Sequence, residues 1–209
     1  MKKLITVLLC ALFFASAHAS ETTIKFGARA LGGVDLTGTI LPKSYGINTY
    51  VNIPLSVVDG LGIQPEITFA KRSIQTEAKP FWFYPWFKTT VTVDYSVLEL
   101  PLLATYTFKI TDDLLITPCV GLQVDYITDC DYKIDDKLHL VFATGARGEY
   151  SLGPGDIIGG IRYFLSLTSI EGHHIHGVDF TVGYQFKLNL SVSHSTYKSS
   201  SSRSRGKAV

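Results

Sequence analysis

The chain has 209 residues, of which 46% are hydrophobic and 12% aromatic, and this composition excludes a disordered or collagen-like protein. Its 19 basic and 18 acidic residues give a formal net charge of +1, so the charge does not indicate a nucleic-acid-binding protein, and no nucleic-acid partner is expected. Mean hydropathy is positive, yet beyond the N-terminal segment no stretch reaches the ~18 apolar residues of a transmembrane helix. Hydrophobicity spread over alternating segments is typical of strands in lipid.

The first residues have the pattern of an export signal. Lys2 and Lys3 precede an apolar run over 4–14, and the small-x-small sequence Ala17-His18-Ala19 follows. A lipoprotein would instead be cleaved before Cys10, which lies in the middle of the apolar run. We therefore expect a cleaved signal peptide over 1–19 and an exported mature chain.

The mature chain contains eight segments in which apolar and polar residues alternate with period two. In the last of them, seven apolar residues from Val178 to Leu190 fall on one face. The pattern predicts an all-β fold, an eight-stranded antiparallel up-and-down transmembrane β-barrel over 20–190. The predicted strands are 24–34, 45–56, 61–72, 91–108, 114–126, 138–150, 156–167 and 178–190.

The connections between these segments alternate in length. Short connections are typical of the periplasmic side of outer-membrane barrels and long ones of the outside. An even number of strands returns both chain ends to one side, so the Ser-rich, basic segment 191–209 is predicted to be a disordered periplasmic tail. The long connections are 35–44, 73–90, 127–137 and 168–177, and the short ones are 57–60, 109–113 and 151–155.

Three features favour an apolar face that points outward to lipid. Aromatic residues on that face lie near the strand ends, as membrane girdles do. The polar face carries a glycine in most strands, which suits the narrow interior of an eight-stranded barrel. It also carries both signs of charge, and charges in a dry lumen must pair. The predicted lumen network is Arg29, Glu66, Glu99, Arg147, Glu149 and Arg162.

Within this network we expect Glu66 and Glu99 to pair with Arg29, Arg147 or Arg162 and so to plug the barrel. The two cysteines of the mature chain, Cys119 and Cys130, are too far apart along their strand to pair unless a loop folds deep into the barrel. Thiols without a disulfide are therefore predicted.

Two short motifs in consecutive strands carry a family resemblance. Gln64-Pro65-Glu66 and Glu99-Leu100-Pro101 resemble the small outer-membrane β-barrel family often called PorT-like, whose architecture is that of the eight-stranded OmpA and OmpX barrels. The resemblance spans residues 24 to about 190 and implies an integral outer-membrane barrel.

The last strand also resembles the insertion signal read by the outer-membrane barrel-assembly machinery. That signal has the form polar-x-Gly-x-x-apolar-x-apolar, and all four positions match, which implies that this machinery is a partner of the chain. Unlike most such signals it does not end the chain, because 21 residues follow Leu188. The matching residues are Thr181, Gly183, Phe186 and Leu188.

Two outside loops have unusual compositions. Six aromatic residues within 80–87 form either a contact surface for a host or surface ligand or a part of the barrel wall and girdle. A loop with Glu171, His173, His174 and His176 could bind a transition metal only if it brought the imidazoles together, so no metal or other cofactor is predicted. The aromatic residues are Phe81, Trp82, Phe83, Tyr84, Trp86 and Phe87.

A search for a nucleophile with a base near the outer rim finds only His139 and Asp125 among scattered serines, so no enzymatic activity is predicted. The predicted function is that of a non-enzymatic integral outer-membrane barrel that displays extracellular loops for envelope integrity, surface interaction or adhesion. Two alternatives remain: a narrow channel for small solutes or hydrophobic molecules, and a soluble periplasmic lipid-binding barrel with its apolar face inside.

Overall fold

The computed structural model of the protein describes residues 21–36, 43–78, 89–130, 137–169 and 174–191. The predicted signal peptide over 1–19, the predicted tail beyond residue 191 and the aromatic loop segment 80–87 lie outside the described residues. Within the described ranges, no helix is long and apolar enough to cross a membrane.

The described residues form one antiparallel sheet that closes on itself. The strands are β1 (Glu21–Asp35), β2 (Lys43–Pro54), β3 (Leu61–Ala78), β4 (Thr89–Tyr106), β5 (Phe108–Lys109), β6 (Leu114–Cys130), β7 (Leu138–Leu152), β8 (Gly155–Ser166) and β9 (His176–Ser191). Strands β1 to β4 pair in sequence, as do β5 to β9, while β4 pairs with β6 and β1 pairs with β9 to complete the ring. The two-residue β5 continues β4 after Thr107, so eight long strands build the wall and the predicted eight-stranded barrel is confirmed.

Three strands extend further outward than the sequence pattern predicts. The β3–β4 ladder continues past Arg72–Tyr95 to Ala78–Thr89, and β6 runs to Cys130. The backbone hydrogen bonds of a ladder do not require a regular alternation of apolar and polar side chains, so strands can continue beyond the residues that show this alternation clearly. Six residues at about 3.3 Å each carry the β3–β4 hairpin roughly 20 Å beyond Arg72.

The two faces of the wall divide by polarity as expected for a barrel in lipid. Ile47, Ile67 and Val182 on the outside are each more than half exposed, whereas Gln64 and Glu66 on the inside are buried. The described interior is rich in polar and charged side chains, which is the opposite of the apolar interior that a soluble lipid carrier requires.

Glycines on the inward face let neighbouring strands pack closely. A Cβ atom at Gly121 or Gly145 would overlap a backbone carbonyl oxygen of the adjacent strand, that of Leu102 or of Ile161. In the short turn between β7 and β8, Gly153 has φ +66°, a left-handed conformation that glycine adopts without strain.

Replacing Gly183 with alanine is expected to reduce the free energy of unfolding by about 1–3 kcal/mol, the usual cost of overpacking. The new Cβ would overlap the carbonyl oxygen of Ala28 and would lie 2.7 Å from the Cα of Arg29. Gly159→Ala is the matched control, because its Cβ would come no closer than 4.0 Å to another heavy atom. Urea unfolding in detergent, followed by the mobility of unheated protein on gels, measures both, and equal midpoints would contradict the prediction.

Candidate functional site

Glu66 on β3 is the centre of the first ion-pair cluster in the lumen. Its two carboxylate oxygens accept hydrogen bonds from Arg29 Nη2 at 2.7 Å and Arg162 Nη2 at 2.6 Å. The side-chain amides of Gln64 and Asn48 donate to the same carboxylate. All of these side chains are buried, so the charge-assisted bonds join strands β1, β2, β3 and β8 across a water-poor interior.

Glu149 on β7 is the centre of a second cluster nearer the short turns. It accepts hydrogen bonds from Lys25 Nζ at 2.6 Å, Arg147 Nε at 2.9 Å, Thr117 Oγ1 at 2.8 Å and Gln185 Nε2 at 2.6 Å. At the rim below it, Lys187 pairs with Asp156 at 2.6 Å. The end of the lumen nearer the short turns is therefore also occupied by paired charges.

The third cluster lies towards the loops and differs from the sequence-based expectation. Glu99 pairs with Arg72 at 2.6 Å, not with the three arginines that the sequence indicated for it. Arg72 also binds Asp179 at 2.9 Å, and its guanidinium lies 4.3 Å from the centre of the Phe164 ring. The register explains the difference: Glu99 is opposite Thr68 on β3, and Arg72 reaches it from further along the same inward face.

Tyr50 is a lumen residue that the sequence analysis missed. Two guanidinium groups contact its ring: the ring centre lies 4.5 Å from Cζ of Arg29 and 5.0 Å from Cζ of Arg147. Its hydroxyl donates to Gln185 Oε1 at 2.7 Å. Strict alternation along β2 from the outward-facing Tyr45 would have placed Tyr50 inside, because the two residues are an odd number of positions apart and so lie on opposite faces of the strand.

An apolar cluster lies at the end of the lumen towards the loops, beside the third ion-pair cluster. Ile175, from the connection before β9, is only 4% exposed and packs into this cluster. Phe164 belongs to it as well and stacks on Arg72 below. The cluster consists of Ala70, Tyr95, Val97, Ile127, Val141, Phe164 and Ile175, with Cys130 packed against it.

The residues considered for catalysis are neighbours in the sheet. His139 and Asp125 are partners across β6 and β7. His139 Nδ1 lies 3.3 Å from Thr168 Oγ1, and Asp125 accepts a hydrogen bond from Gln123 at 2.7 Å. Their hydrogen bonds thus go to different side chains, that of His139 to Thr168 and that of Asp125 to Gln123.

Two of the histidines that the sequence indicated for a metal site contact different groups. His174 Nδ1 lies 3.0 Å from the carbonyl oxygen of Ser166, whereas the His176 ring lies beside that of Tyr163. His173 lies outside the described residues. Among the residues that the structure describes, no three His, Cys, Asp or Glu side chains are grouped so that they could hold a metal ion.

The two cysteines of the mature chain lie on one strand, β6. They are 11 positions apart, which at about 3.3 Å per residue is roughly 36 Å, so they form no disulfide with each other.

The residues of the predicted assembly signal lie at the seam that closes the barrel. Thr181 and Gly183 are on the inward face of β9, whereas Phe186 and Leu188 are exposed on the outward face. Phe186 stacks on Phe26 of β1 with ring centres 5.5 Å apart. The signal therefore occupies the strand that completes the ring, and its recognition by the assembly machinery stays a prediction.

Comparisons with known proteins place this fold among small outer-membrane barrels. Neisserial surface protein A, NspA, is 12% identical, with a TM-score of 0.55 over 81% of this chain and 98% of that one. A major outer membrane protein from Thermus thermophilus is also 12% identical, with a TM-score of 0.51 over 79% of this chain and 99% of that one. No protein-family model and no curated protein matches the sequence. The architecture is thus that of the small eight-stranded barrels, and the PorT-like assignment stays a prediction.

Proposed function

We propose that this protein is a non-enzymatic integral outer-membrane barrel that presents its outside loops to the surroundings, for envelope integrity or surface interaction. The observation that carries the proposal is the filled lumen. Three clusters of buried ion pairs, centred on Glu66, Glu149 and Arg72, occupy it, and the apolar cluster packs at its end towards the loops. A closed barrel leaves its loops as the surface available to partners.

The outer face supports a location in the membrane. Aromatic side chains lie near both ends of the apolar belt, with Tyr45 and Tyr163 towards the loops and Tyr106 and Tyr150 towards the turns. An apolar groove of about 730 Å³ crosses β9, β1, β2 and β3 on this face. Acyl chains of the outer-membrane lipids would fill it, because the groove faces the bilayer.

A closed lumen predicts that the protein does not conduct ions. Mature protein inserted into a planar bilayer is expected to give no current steps above the bare membrane, because the buried ion pairs occupy the volume that a water-filled pathway would need. A porin inserted under the same conditions is the positive control. Reproducible unitary steps would favour the narrow channel instead.

The orientation of the barrel can be tested with trypsin on intact cells. Lys88 belongs to the loop at the end of the long β3–β4 hairpin, whereas Arg203 lies in the tail that follows β9. Trypsin is expected to cut after Lys88 in intact cells and after Arg203 only once the outer membrane is permeabilised. Cleavage of the tail in intact cells, with the loop protected, would reverse the proposed orientation.

The aromatic segment 80–87 belongs to the connection between β3 and β4, and its proposed role is contact with a surface ligand. The described β3–β4 ladder extends roughly 20 Å beyond Arg72, and six aromatic residues follow β3 in the sequence within 80–87. So many aromatic residues in one connection favour a contact surface over a girdle. Changing the six aromatic residues to serine should leave heat-modifiable migration intact and should reduce adhesion of expressing cells to host cells. Unchanged adhesion would remove the loop from the proposal.

A further inference from the structure

A small cavity lies in the middle of the lumen, between the clusters centred on Glu66 and Glu149. Its volume is about 10 Å³, which is room for a single water-sized particle. No Asp or Glu lines it. Its hydrogen-bonding lining comes from Arg29, Arg147, Arg162, Gln64, Thr117 and Thr181.

Arg147 has an unused donor in this region. The residue is only 5% exposed, its Nε donates to Glu149, and its Nη1 donates to Gln64. Its Nη2 has no hydrogen-bond partner within the part of the chain that the structure describes. An unpaired donor on a buried charged group is costly, so an acceptor that is not part of the protein is expected beside it.

The charges around the cavity do not balance. Glu66 is shared by Arg29 and Arg162, and Glu149 is shared by Arg147 and Lys25, so four cations face two carboxylates. The next cluster towards the loops has the opposite excess, because Arg72 binds two carboxylates, those of Glu99 and Asp179, and Asp179 is also the sheet partner of Arg162. The excess of cations is therefore local to the two clusters that flank the cavity, and positive charge buried there favours an anion beside it.

We propose that the cavity binds a chloride ion beside Arg147 Nη2, as a counter-ion built into the plug. The volume excludes sulfate, phosphate and organic anions, which leaves a monatomic anion or a water molecule. Chloride accepts hydrogen bonds from every donor in the lining, whereas a water molecule would also have to donate to the oxygens of Gln64, Thr117 or Thr181. Of these, Gln64 Oε1 already accepts from Arg147 and Asn52. The site is independent of what the outside loops bind.

Bromide substitution tests the site directly. Crystals of the mature barrel grown in sodium bromide are expected to show an anomalous peak in the cavity, next to Arg147 Nη2. The proposal is overturned if bromide peaks occur only on the surface and the cavity holds a water oxygen or nothing.

Stability gives a second test in solution. Protein refolded from urea in sodium chloride should have a higher unfolding midpoint than protein refolded in sodium gluconate of equal ionic strength, and the difference should grow with the logarithm of chloride concentration. Arg147→Met should abolish this dependence, whereas Lys71→Met, which removes a half-exposed charge, should retain it. Equal midpoints of the wild type in the two salts would overturn the proposal, and should Arg147→Met not fold, the bromide experiment decides.

Discussion

Changing Glu66 to alanine should lower the free energy of unfolding by about 3–5 kcal/mol, among the largest effects of any single substitution in the barrel. The change leaves the guanidinium groups of Arg29 and Arg162 buried without their shared carboxylate. It also removes the acceptor for the amides of Gln64 and Asn48. Urea unfolding of protein refolded into lipid vesicles, followed by migration of unheated samples on gels, measures the difference.

The control for this variant removes one partner of a solvent-exposed ion pair. Asp94 lies 4.0 Å from Lys71, and its side chain is 44% exposed, so Asp94→Ala should cost less than about 1 kcal/mol. Glu66→Gln should fall between the two, because it retains the volume and one acceptor but removes the charge. Were Glu66→Ala no more destabilising than Asp94→Ala, the ion pairs of the lumen would not be holding the barrel together.

Changing Leu122 to arginine should cost about 2–4 kcal/mol of folding free energy in a bilayer. Leu122 is 49% exposed on the outward face of β6, and it lies between Leu102 of β4 and Phe142 of β7 in the middle of the apolar belt. A charge there must enter hydrocarbon or pull water towards it. The measurement is urea unfolding in phospholipid vesicles.

Val57→Arg is the matched control for the belt variant. Val57 is 83% exposed in the turn between β2 and β3, outside the belt, so the same change of residue type should alter stability by less than about 1 kcal/mol. Equal effects of the two variants would mean that the face carrying Leu122 is not in contact with lipid.

The local chemistry of each strand was readable from the sequence. Alternation such as that from Val178 to Leu190 identifies a strand and both of its faces, because side chains on a strand point to opposite sides in turn. Glycines at inward positions such as Gly145 and charges such as Glu66 then indicated a narrow, charged lumen inside an apolar belt. The fold class and the inward position of the network residues follow from this local pattern.

Which side chains meet inside the lumen required the tertiary structure. Arg162 and Glu66 are 96 residues apart in the chain, and their contact depends on the stagger accumulated over the intervening strands. The same stagger brings Glu99 and Arg72 together as an ion pair and places Ile175 in the apolar cluster at the end of the lumen towards the loops. The strands, their faces and the sign of their charges could be predicted because they are properties of single strands. The ion pairs, the apolar cluster and the donor-lined cavity could not be predicted, because each depends on the relative register of strands that are distant in sequence.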